Sequence, residues 1–202
     1  MYGIIILAGG KHRRMKQNKA LMELKGKTLL NHVLEKVLEF NYKTIVAIGR
    51  NDELNNYSEI ITSKVIIVKD KIDSMGPLSG ILTGMQYVDS NYALVLPCDS
   101  PFIKKTVLEY LFKISEGFDA SIPRWPNGYI EPLHAVYKVT KAIEASKNAL
   151  INKEFFIRDM IKRLKNVNYI DIEVIKKIDP NLFTFFNINS QDDFEKAERL
   201  ME

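Results

Sequence analysis

Cysteine is almost missing from this 202-residue sequence, and long apolar runs are missing altogether. The single cysteine, Cys98, excludes an internal disulfide, so an oxidising compartment is not indicated. No apolar run approaches the length of a membrane span, and Met1 to Ala8 lacks the basic start of a secretory signal. We therefore expect a cytoplasmic protein that does not bind membranes.

A strong charge imbalance is also missing. The formal net charge is only +4, and acidic residues are interspersed with the basic ones, unlike the basic arm of a nucleic-acid-binding protein. We expect no nucleic-acid partner, and the mild excess suits a small polyanionic ligand. With 46% hydrophobic and 27% charged residues, the chain has the composition of a folded protein, and its length predicts a single domain over residues 1–202.

Two common nucleotide-binding motifs are lacking. Gly26, Lys27 and Thr28 match the end of a P-loop, but Leu21 occupies the position of its first glycine. No third glycine follows Gly10 at the spacing of a dinucleotide fingerprint, which disfavours a nicotinamide enzyme.

Short β-rich runs alternate with helix-periodic segments over most of the chain. This pattern predicts an α/β fold with three layers, a mostly parallel central sheet with helices on both faces. The strand candidates are Gly3–Leu7, Thr44–Ile48, Val65–Val68, Tyr92–Leu96, Ala120–Ile122, Ala135–Lys138, Val167–Ile170 and Phe183–Asn187. The helix candidates are Leu29–Leu38, Leu78–Val88, Thr106–Ile114, Phe155–Leu164 and Gln191–Met201, with Ser190 and Asp193 as a capping box before the last.

The alternation weakens after Ile122, where regular helices are not evident between the strands. We interpret approximately residues 120–182 as a substrate-side region within the same domain. In doubly wound sheets, ligands bind outside the carboxyl ends of the strands, so loops 8–14 and 97–102 are expected to face one site.

The first of these loops, in "LAGGKHRRMKQNK" (Leu7 to Lys19), combines two glycines with several basic residues. Gly9 and Gly10 lack a Cβ, so the backbone can approach a ligand and present its N–H groups to phosphate oxygens. The basic side chains after them, Arg14 and Lys19 among them, would neutralise phosphate charge. The alternative is a tight turn with a solvated basic face, but the position after a strand favours an anion site.

The second loop, in "YALVLPCDSPF" (Tyr92 to Phe102), places Asp99 at the end of a wholly apolar strand. Magnesium typically takes one or two protein carboxylates and fills its other positions with water and phosphate oxygens, so Asp99 is the candidate ligand. An N-cap is the alternative role, but Ser100 and Pro101 already resemble the N-cap and first residue of the next helix. Asp70, after another strand, is a candidate contact for a base or ribose, or a turn aspartate.

Two further features have structural alternatives. In "GPLSGILTG" (Gly76 to Gly84), glycines four apart line one side of a predicted helix, and packing alone can explain Gly80 and Gly84. Cys98 with His134 resembles a thiol nucleophile and its base, yet a lone cysteine at a strand end is more often a small buried side chain.

Taken together, these motifs, with "EPLHAVY" (Glu131 to Tyr137) and "FFNINSQDDF" (Phe185 to Phe194), resemble the molybdenum cofactor guanylyltransferases from the first strand to the last helix. The resemblance implies a Rossmann-like nucleotidyltransferase. That family joins the GMP moiety of GTP to the phosphate of molybdopterin with Mg²⁺ and releases pyrophosphate. GTP and molybdopterin are thus the implied substrates, and transient contact with other proteins of molybdenum cofactor biosynthesis would follow.

The family's functional positions transfer to this sequence residue by residue. Asp99 matches the site that binds GTP and magnesium, and we assign Arg14, Lys19 and Asp99 as catalytic. The implied nucleotide-binding residues are Leu7, Ala8, Gly9, Gly10, Lys19, Asp70, Gly76 and Asp99. The implied acceptor-binding residues are Glu131, His134, Arg158, Asn187 and Asn189. Each of the last four also has a structural alternative. His134 would lie in a strand core, Arg158 on a solvated helix face, and Asn187 and Asn189 in a turn before a helix.

One departure concerns the stretch between Arg14 and Lys19, where the family usually has a glycine and an aspartate. Lys16 and Asn18 are present instead, so we expect that the activity or the choice of donor nucleotide can differ from that of the typical enzyme. The alternatives are transfer of CMP to the pterin, transfer of GMP to a corrinoid phosphate, and a non-catalytic nucleotide-binding subunit.

Overall fold

A computed structural model describes residues 2–9, 18–60, 64–71 and 76–202 of the chain. Its strands are β1 (Tyr2–Leu7), β2 (Glu23–Leu24), β3 (Lys27–Thr28), β4 (Lys43–Ile48), β5 (Val65–Lys69), β6 (Tyr92–Pro97), β7 (Ala120–Arg124), β8 (Ala135–Lys138) and β9 (Val167–Asp171). Its α-helices are α1 (Leu29–Leu38), α2 (Leu78–Met85), α3 (Lys105–Lys113), α4 (Val139–Ile151), α5 (Ile157–Ile161), α6 (Ile172–Lys176) and α7 (Gln191–Leu200). Short 3-10 helices cover Lys19–Leu21, Leu54–Ile60 and Phe183–Phe185.

Seven strands form one sheet in the order β5-β4-β1-β6-β8-β7-β9, and β2 pairs with β3 in a separate ribbon. All neighbours in the large sheet are parallel except β8, which is antiparallel to both β6 and β7. The predicted mostly parallel sheet is therefore confirmed. The carboxyl ends of six strands and the amino end of β8 consequently lie at one edge.

The alternation of side chains along β1 divides the interior into two cores, because successive side chains point to opposite faces of a sheet. Ile4 and Ile6 pack with α1 and α3 on one face, and Ile5 packs with α2, α4 and α5 on the other. A third cluster joins Leu24 and Leu29 to Ile188 and Ala197, which brings the C-terminal segment back to the first helix. The predicted three layers are thus confirmed.

The predicted strand Phe183–Asn187 is wrong. Asp179 accepts a hydrogen bond from the Thr184 backbone N–H at 2.8 Å, and Leu182 adopts a left-handed conformation with φ of 53°. These contacts turn the segment into a short 3-10 helix, because a side chain that captures a backbone donor competes with sheet pairing. The following residues extend towards Asp99, whose backbone oxygen accepts from the Ile188 N–H at 3.0 Å.

Two helix predictions also need correction. Helix α4, with 13 residues, lies in the region where no regular helix was predicted, and α6 was missed as well. Ser100 and Pro101 do not begin a helix, because α3 starts at Lys105 with Lys104 at its N-cap. No helix within the described ranges is long and apolar enough to cross a membrane.

Candidate active site

The order of the strands predicts where a ligand binds. From β1 the chain proceeds to β4 and β5 on one side and then crosses to β6 on the other. The strand order therefore reverses between β1 and β6, and ligands of open α/β sheets bind at this switch point. The ends of these strands are held together, since the Cys98 N–H donates to the Leu7 oxygen at 3.2 Å and the Ala8 N–H donates to Ala47 at 2.8 Å. Leu7, Ala8, Gly9 and Asp99 therefore share this edge, as the sequence predicted.

Gly9 lies against the loop that follows β4. A Cβ on Gly9 would stand 2.8 Å from both the Gly49 Cα and the Ile48 carbonyl carbon. Asp52 holds that loop in place by accepting from the Gly49 N–H at 2.8 Å. The glycine is thus required by neighbouring backbone, a reason that differs from the ligand approach predicted from the sequence. Gly10 and Arg14 lie outside the described residues.

Lys19 is the centre of the site. Its side chain is only 3% exposed, and its ammonium lies 2.9 Å from Asp99 Oδ2 and 2.7 Å from Asn189 Oδ1. An ammonium has three donors and no acceptor, so both partners must present oxygen. Three residues predicted from widely separated motifs therefore form one cluster at the switch point.

Local structure positions both ends of this cluster. Asn18 caps the 3-10 helix that begins with Lys19, by accepting from the Ala20 N–H at 3.1 Å, and it donates to the Tyr57 hydroxyl at 2.6 Å. At the other end, Asp193 accepts from the backbone N–H groups of Asn189 and Ser190 at 3.0 and 2.9 Å. The predicted capping box of α7 is confirmed, and it also fixes Asn189.

The capping carboxylate remains ionised. Burial works in the opposite direction, but the hydrogen bonds from Ser190 and Asn189, with the nearby charge of Lys19, hold the pKa of Asp193 below its usual value. An anion at the first turn of α7 is favourable for the helix dipole as well.

A second network begins at Ser100, the neighbour of Asp99. The Ser100 hydroxyl donates to Asn187 Oδ1 and lies 3.1 Å from His134 Nε2. On the far side of the histidine, Glu131 Oε2 lies 3.9 Å from Nδ1, and Glu131 Oε1 accepts from the Trp125 indole N–H at 2.7 Å. The network thus runs from Ser100, the chain neighbour of the metal candidate Asp99, past the start of β8 to the end of β7.

The protonation of His134 follows from this geometry. Burial lowers the pKa of His134 to about 3, with partial opposition from a contact with the Thr184 backbone, so the ring is neutral. Because the single hydroxyl proton of Ser100 goes to Asn187, His134 Nε2 must be the donor to Ser100. Nδ1 makes no hydrogen bond within the described part of the chain, and the nearest carboxylate oxygen to it is Glu131 Oε2 at 3.9 Å. Burial also raises the pKa of Glu131, partly offset by the Trp125 hydrogen bond.

Asp70 and Gly76 lie at the start of α2. The Asp70 carboxylate accepts from the hydroxyls of Ser79 and Thr83, the latter at 3.2 Å, and so ties the end of β5 to α2. A Cβ on Gly76 would lie 2.5 Å from the Phe155 oxygen, so this glycine permits close packing of the segment before α5. A Cβ on Gly84 would meet Ile5 Cγ2 at 2.6 Å, which supports packing as the role of that glycine.

Arg158 and Cys98 are the remaining candidates. Arg158 is exposed on α5, where its guanidinium lies 5.0 Å from the centre of the Phe156 ring. Cys98 is buried, and burial raises the pKa of its thiol. It is therefore a small core side chain and not a thiol nucleophile. Within the described residues, no three His, Cys, Asp or Glu side chains gather as a metal-binding group.

Sequence reasoning missed several residues that support the site. Trp125 and Tyr57 were not assigned roles, Ser100 was interpreted only as a helix N-cap, and Asn18 was regarded only as a departure from the family. Their partners are distant in sequence: Ser100 contacts residues 34 and 87 positions away. No local pattern carries that information, although the single tryptophan in a turn near a sheet edge was an available signal.

Comparison with known proteins agrees with this architecture. Residues 4–167 match the model of the MobA-like NTP transferase domain. A probable molybdenum cofactor guanylyltransferase of Methanosarcina mazei is 32% identical over 95% of this chain and 87% of its own length. The similarly named protein of Methanocaldococcus jannaschii is 35% identical over 96% and 97%. The crystal structure of molybdopterin-guanine dinucleotide biosynthesis protein A from Archaeoglobus fulgidus has a TM-score of 0.84 at 31% identity, covering 98% of both chains.

The strand order, the cluster at the switch point and these matches define the class of the protein as a nucleotidyltransferase. More narrowly, the chain belongs to the family of MobA-like NTP transferases.

Proposed function

We propose that the protein transfers the GMP moiety of GTP to the phosphate of molybdopterin, which yields the guanine dinucleotide form of the cofactor and pyrophosphate. The names of its relatives support the two substrates. The observation on this chain that carries the proposal is the contact of Lys19 with both Asp99 and Asn189 at the switch point of the sheet.

GTP occupies the side of β1. The backbone of Leu7, Ala8 and Gly9 ends β1 at the switch point, and the ammonium of Lys19 neutralises triphosphate charge beside it. Gly10 and Arg14 belong to this proposal on sequence grounds. Asp70 and Gly76 fix the neighbouring start of α2 and complete the nucleotide side.

The site suits Mg²⁺. Asp99 Oδ2 and Asn189 Oδ1 converge on one ammonium, so a pair of oxygen atoms already surrounds a cation, and oxygen is the ligand atom that magnesium prefers. Asp99 would hold the ion, with Asn189 as the second oxygen donor. When bound, magnesium supplies positive charge to the phosphates.

The reaction needs no strong base, because the attacking group is already an anionic phosphate. One of its oxygens forms a bond to the α-phosphorus of GTP, while the bond from that phosphorus to the bridging oxygen breaks and pyrophosphate leaves with the electron pair. The barrier arises from bringing anions together, so positioning and charge neutralisation by Lys19 dominate.

The acceptor occupies the side of β8. Asn187 directs its carbonyl oxygen to Ser100, which leaves its amide N–H groups as donors for acceptor oxygens. His134 acts as a positioning residue through Ser100, and Glu131 does so through His134. The exposed guanidinium of Arg158 serves as a further phosphate contact in this proposal.

Thermal unfolding with GTP, CTP or ATP, each with and without Mg²⁺, tests the donor half of the proposal. A ligand that binds only the folded state raises its apparent stability, so GTP with Mg²⁺ should give the largest increase. A larger increase with CTP would indicate a cytidylyltransferase, and no increase with any nucleotide would indicate a non-catalytic subunit. Transfer of labelled GMP to molybdopterin tests the acceptor half, and absence of the labelled dinucleotide would refute it.

A further inference from the structure

A cavity of about 390 Å³ lies at the ends of β7 and β9, next to the Trp125 end of the Ser100 network. It is lined by Arg124, Trp125, Pro126, Gly128 and Asp171. Its volume falls within the range of small-molecule sites. The backbone N–H of Trp125 donates to the backbone oxygen of Tyr129 at 2.7 Å and closes a tight turn. The cavity therefore lies between this turn and the end of β9.

Two opposite charges stand side by side in this cavity. Arg124 and Asp171 occupy paired positions on the parallel strands β7 and β9. Each is held by other groups: the Arg124 guanidinium lies 5.1 Å from the centre of the Tyr169 ring, and Asp171 accepts from the Glu173 N–H at 2.9 Å. Among the described residues the two side chains form no ion pair with each other, so both keep hydrogen-bonding capacity for a ligand.

The cavity is also connected to the reaction site. Trp125 lines it and donates to Glu131, which faces His134 and, through it, Ser100 beside Asp99. In the sheet, β7 is the second strand from β6 and β9 is the third, which places the cavity about 10–14 Å from Asp99 at a strand spacing of about 4.8 Å. It lies on the side of Asp99 opposite to β1.

On the basis of the proposed function, we propose that this cavity binds the pterin ring of the acceptor. A 2-amino-4-oxopyrimidine ring presents two adjacent N–H donors and a carbonyl acceptor on one edge. The Asp171 carboxylate complements the donors, the Arg124 guanidinium complements the carbonyl, and the indole of Trp125 offers an aromatic face for stacking. Guanine has the same edge, but GTP is assigned to the β1 side, which leaves this cavity for the pterin.

Fluorescence provides a direct test, because Trp125 is the only tryptophan in the chain. Titration of the native protein with free pterin should quench its emission in a saturable manner. Asp171→Asn keeps a side chain that can cap α6, so it should fold normally, yet it should weaken pterin binding about tenfold through loss of the charged acceptor. Arg124→Gln should act in the same direction. The matched controls Asp192→Asn and Arg199→Gln, on exposed positions of α7, should bind pterin as the native protein does.

A second readout separates this subsite from the proposed reaction. In GMP transfer, Asp171→Asn should raise the KM for molybdopterin about tenfold and leave the KM for GTP and kcat nearly unchanged. Unchanged quenching together with an unchanged acceptor KM in Asp171→Asn would overturn the pterin site and leave the guanylyltransferase activity standing. Conversely, native protein that binds pterin through Asp171 but transfers no GMP would retain the site and refute the reaction. Quenching by guanosine that GTP competes away would assign the cavity to the donor base and overturn the proposal.

Discussion

Among the described residues, glycines pack closely against backbone on the β1, β4 and β5 side of the sheet edge that forms the site, whereas on the β7, β8 and β9 side the contacts around Ser100 are made by side chains. Gly9 packs against Gly49, and Gly76 packs against the Phe155 carbonyl. Across the switch point, His134 and Asn187 contact Ser100 through their side chains.

This difference matches the chemistry that each side is proposed to perform. A triphosphate is bound by N–H groups and a few cations, so close backbone approach serves it well. A bulky acceptor with a heterocycle needs shape and specific donors, which side chains supply. Lys19 and Asp99 stand between the two sides and belong to both.

Asp99→Asn at this boundary should have the largest effect. It removes the proposed magnesium carboxylate and leaves the buried Lys19 ammonium without its anionic partner, so GMP transfer should fall on the order of 10³-fold. Single-turnover assays on the purified variant measure this loss. The matched control Asp89→Asn, in an exposed pair with Lys43, should retain native activity. A folded Asp99→Asn protein with near-native turnover would contradict the central assignment.

Gly9→Ala tests the backbone side. The added Cβ would lie 2.8 Å from the Gly49 Cα, and neither backbone segment can move away easily, so the free energy of unfolding should fall by about 1–3 kcal/mol. Affinity for GTP should weaken as well. Denaturant unfolding and nucleotide titration give the two quantities.

Gly80→Ala is the appropriate comparison, because its Cβ would meet only Leu7 Cδ2, at 3.4 Å. In the interior of α2 the alanine should be neutral or stabilise by up to about 1 kcal/mol. Equal effects of the two substitutions would show that the approach of Gly9 to Gly49 is unimportant.

His134 tests the side-chain side through pH. Its pKa is about 3 in the folded state and about 6.5 when unfolded, so between these values the unfolded state binds one more proton. The stabilising contribution is therefore complete above pH 6.5 and is lost as the pH falls, at a limiting rate of about 1.4 kcal/mol per pH unit. Burial raises the pKa of Glu131, so its effect on stability has the opposite sign. Above the ordinary pKa of a glutamate, Glu131 makes the free energy of unfolding fall as the pH rises.

Comparison of the native protein with His134→Gln isolates the histidine, since Glu131 is present in both. The difference in unfolding free energy between the two proteins should shrink as the pH falls from 6.5. A pH-independent difference would mean that His134 is not buried in its neutral form.

Asn18→Asp should have the smallest effect. An aspartate can still cap the 3-10 helix and can accept a hydrogen bond from Tyr57, so the free energy of unfolding should change by less than about 1 kcal/mol. GMP transfer should change little. A large gain in activity would show that the asparagine at this position impairs the enzyme.

Prediction from the sequence was most successful where the signal is local. Seven strands were identified because β-branched and apolar residues recur in short runs, and the cap of α7 was recognised from Ser190 and Asp193. Helix α4 was missed because its buried stripe includes Ala142, Ala145 and Ala149, which carry little hydrophobic contrast. The segment Phe183–Asn187 was wrongly predicted as a strand, because a hydrogen bond from the Thr184 N–H to the Asp179 carboxylate determines its conformation. The β-propensity of its residues does not.

In the candidate site, too, residues within local motifs were predicted, whereas contacts between distant residues were not. Lys19, Asp99 and Asn189 were identified individually by their motifs, but their mutual contact spans 80 and 170 residues and only the fold reveals it. The roles of Ser100 and Trp125 depend on neighbours from other strands. Such side-chain contacts have no fixed spacing, so a single sequence does not predict them.

The return of the C-terminal segment also has a consequence for truncation. Asn189 reaches Lys19 next to Ile188, which packs with Leu24 and Leu29. Removal of residues 188–202 would therefore take away one oxygen partner of the Lys19 ammonium and uncover two core leucines at the same time. The cluster at the switch point thus depends on segments from both halves of the chain.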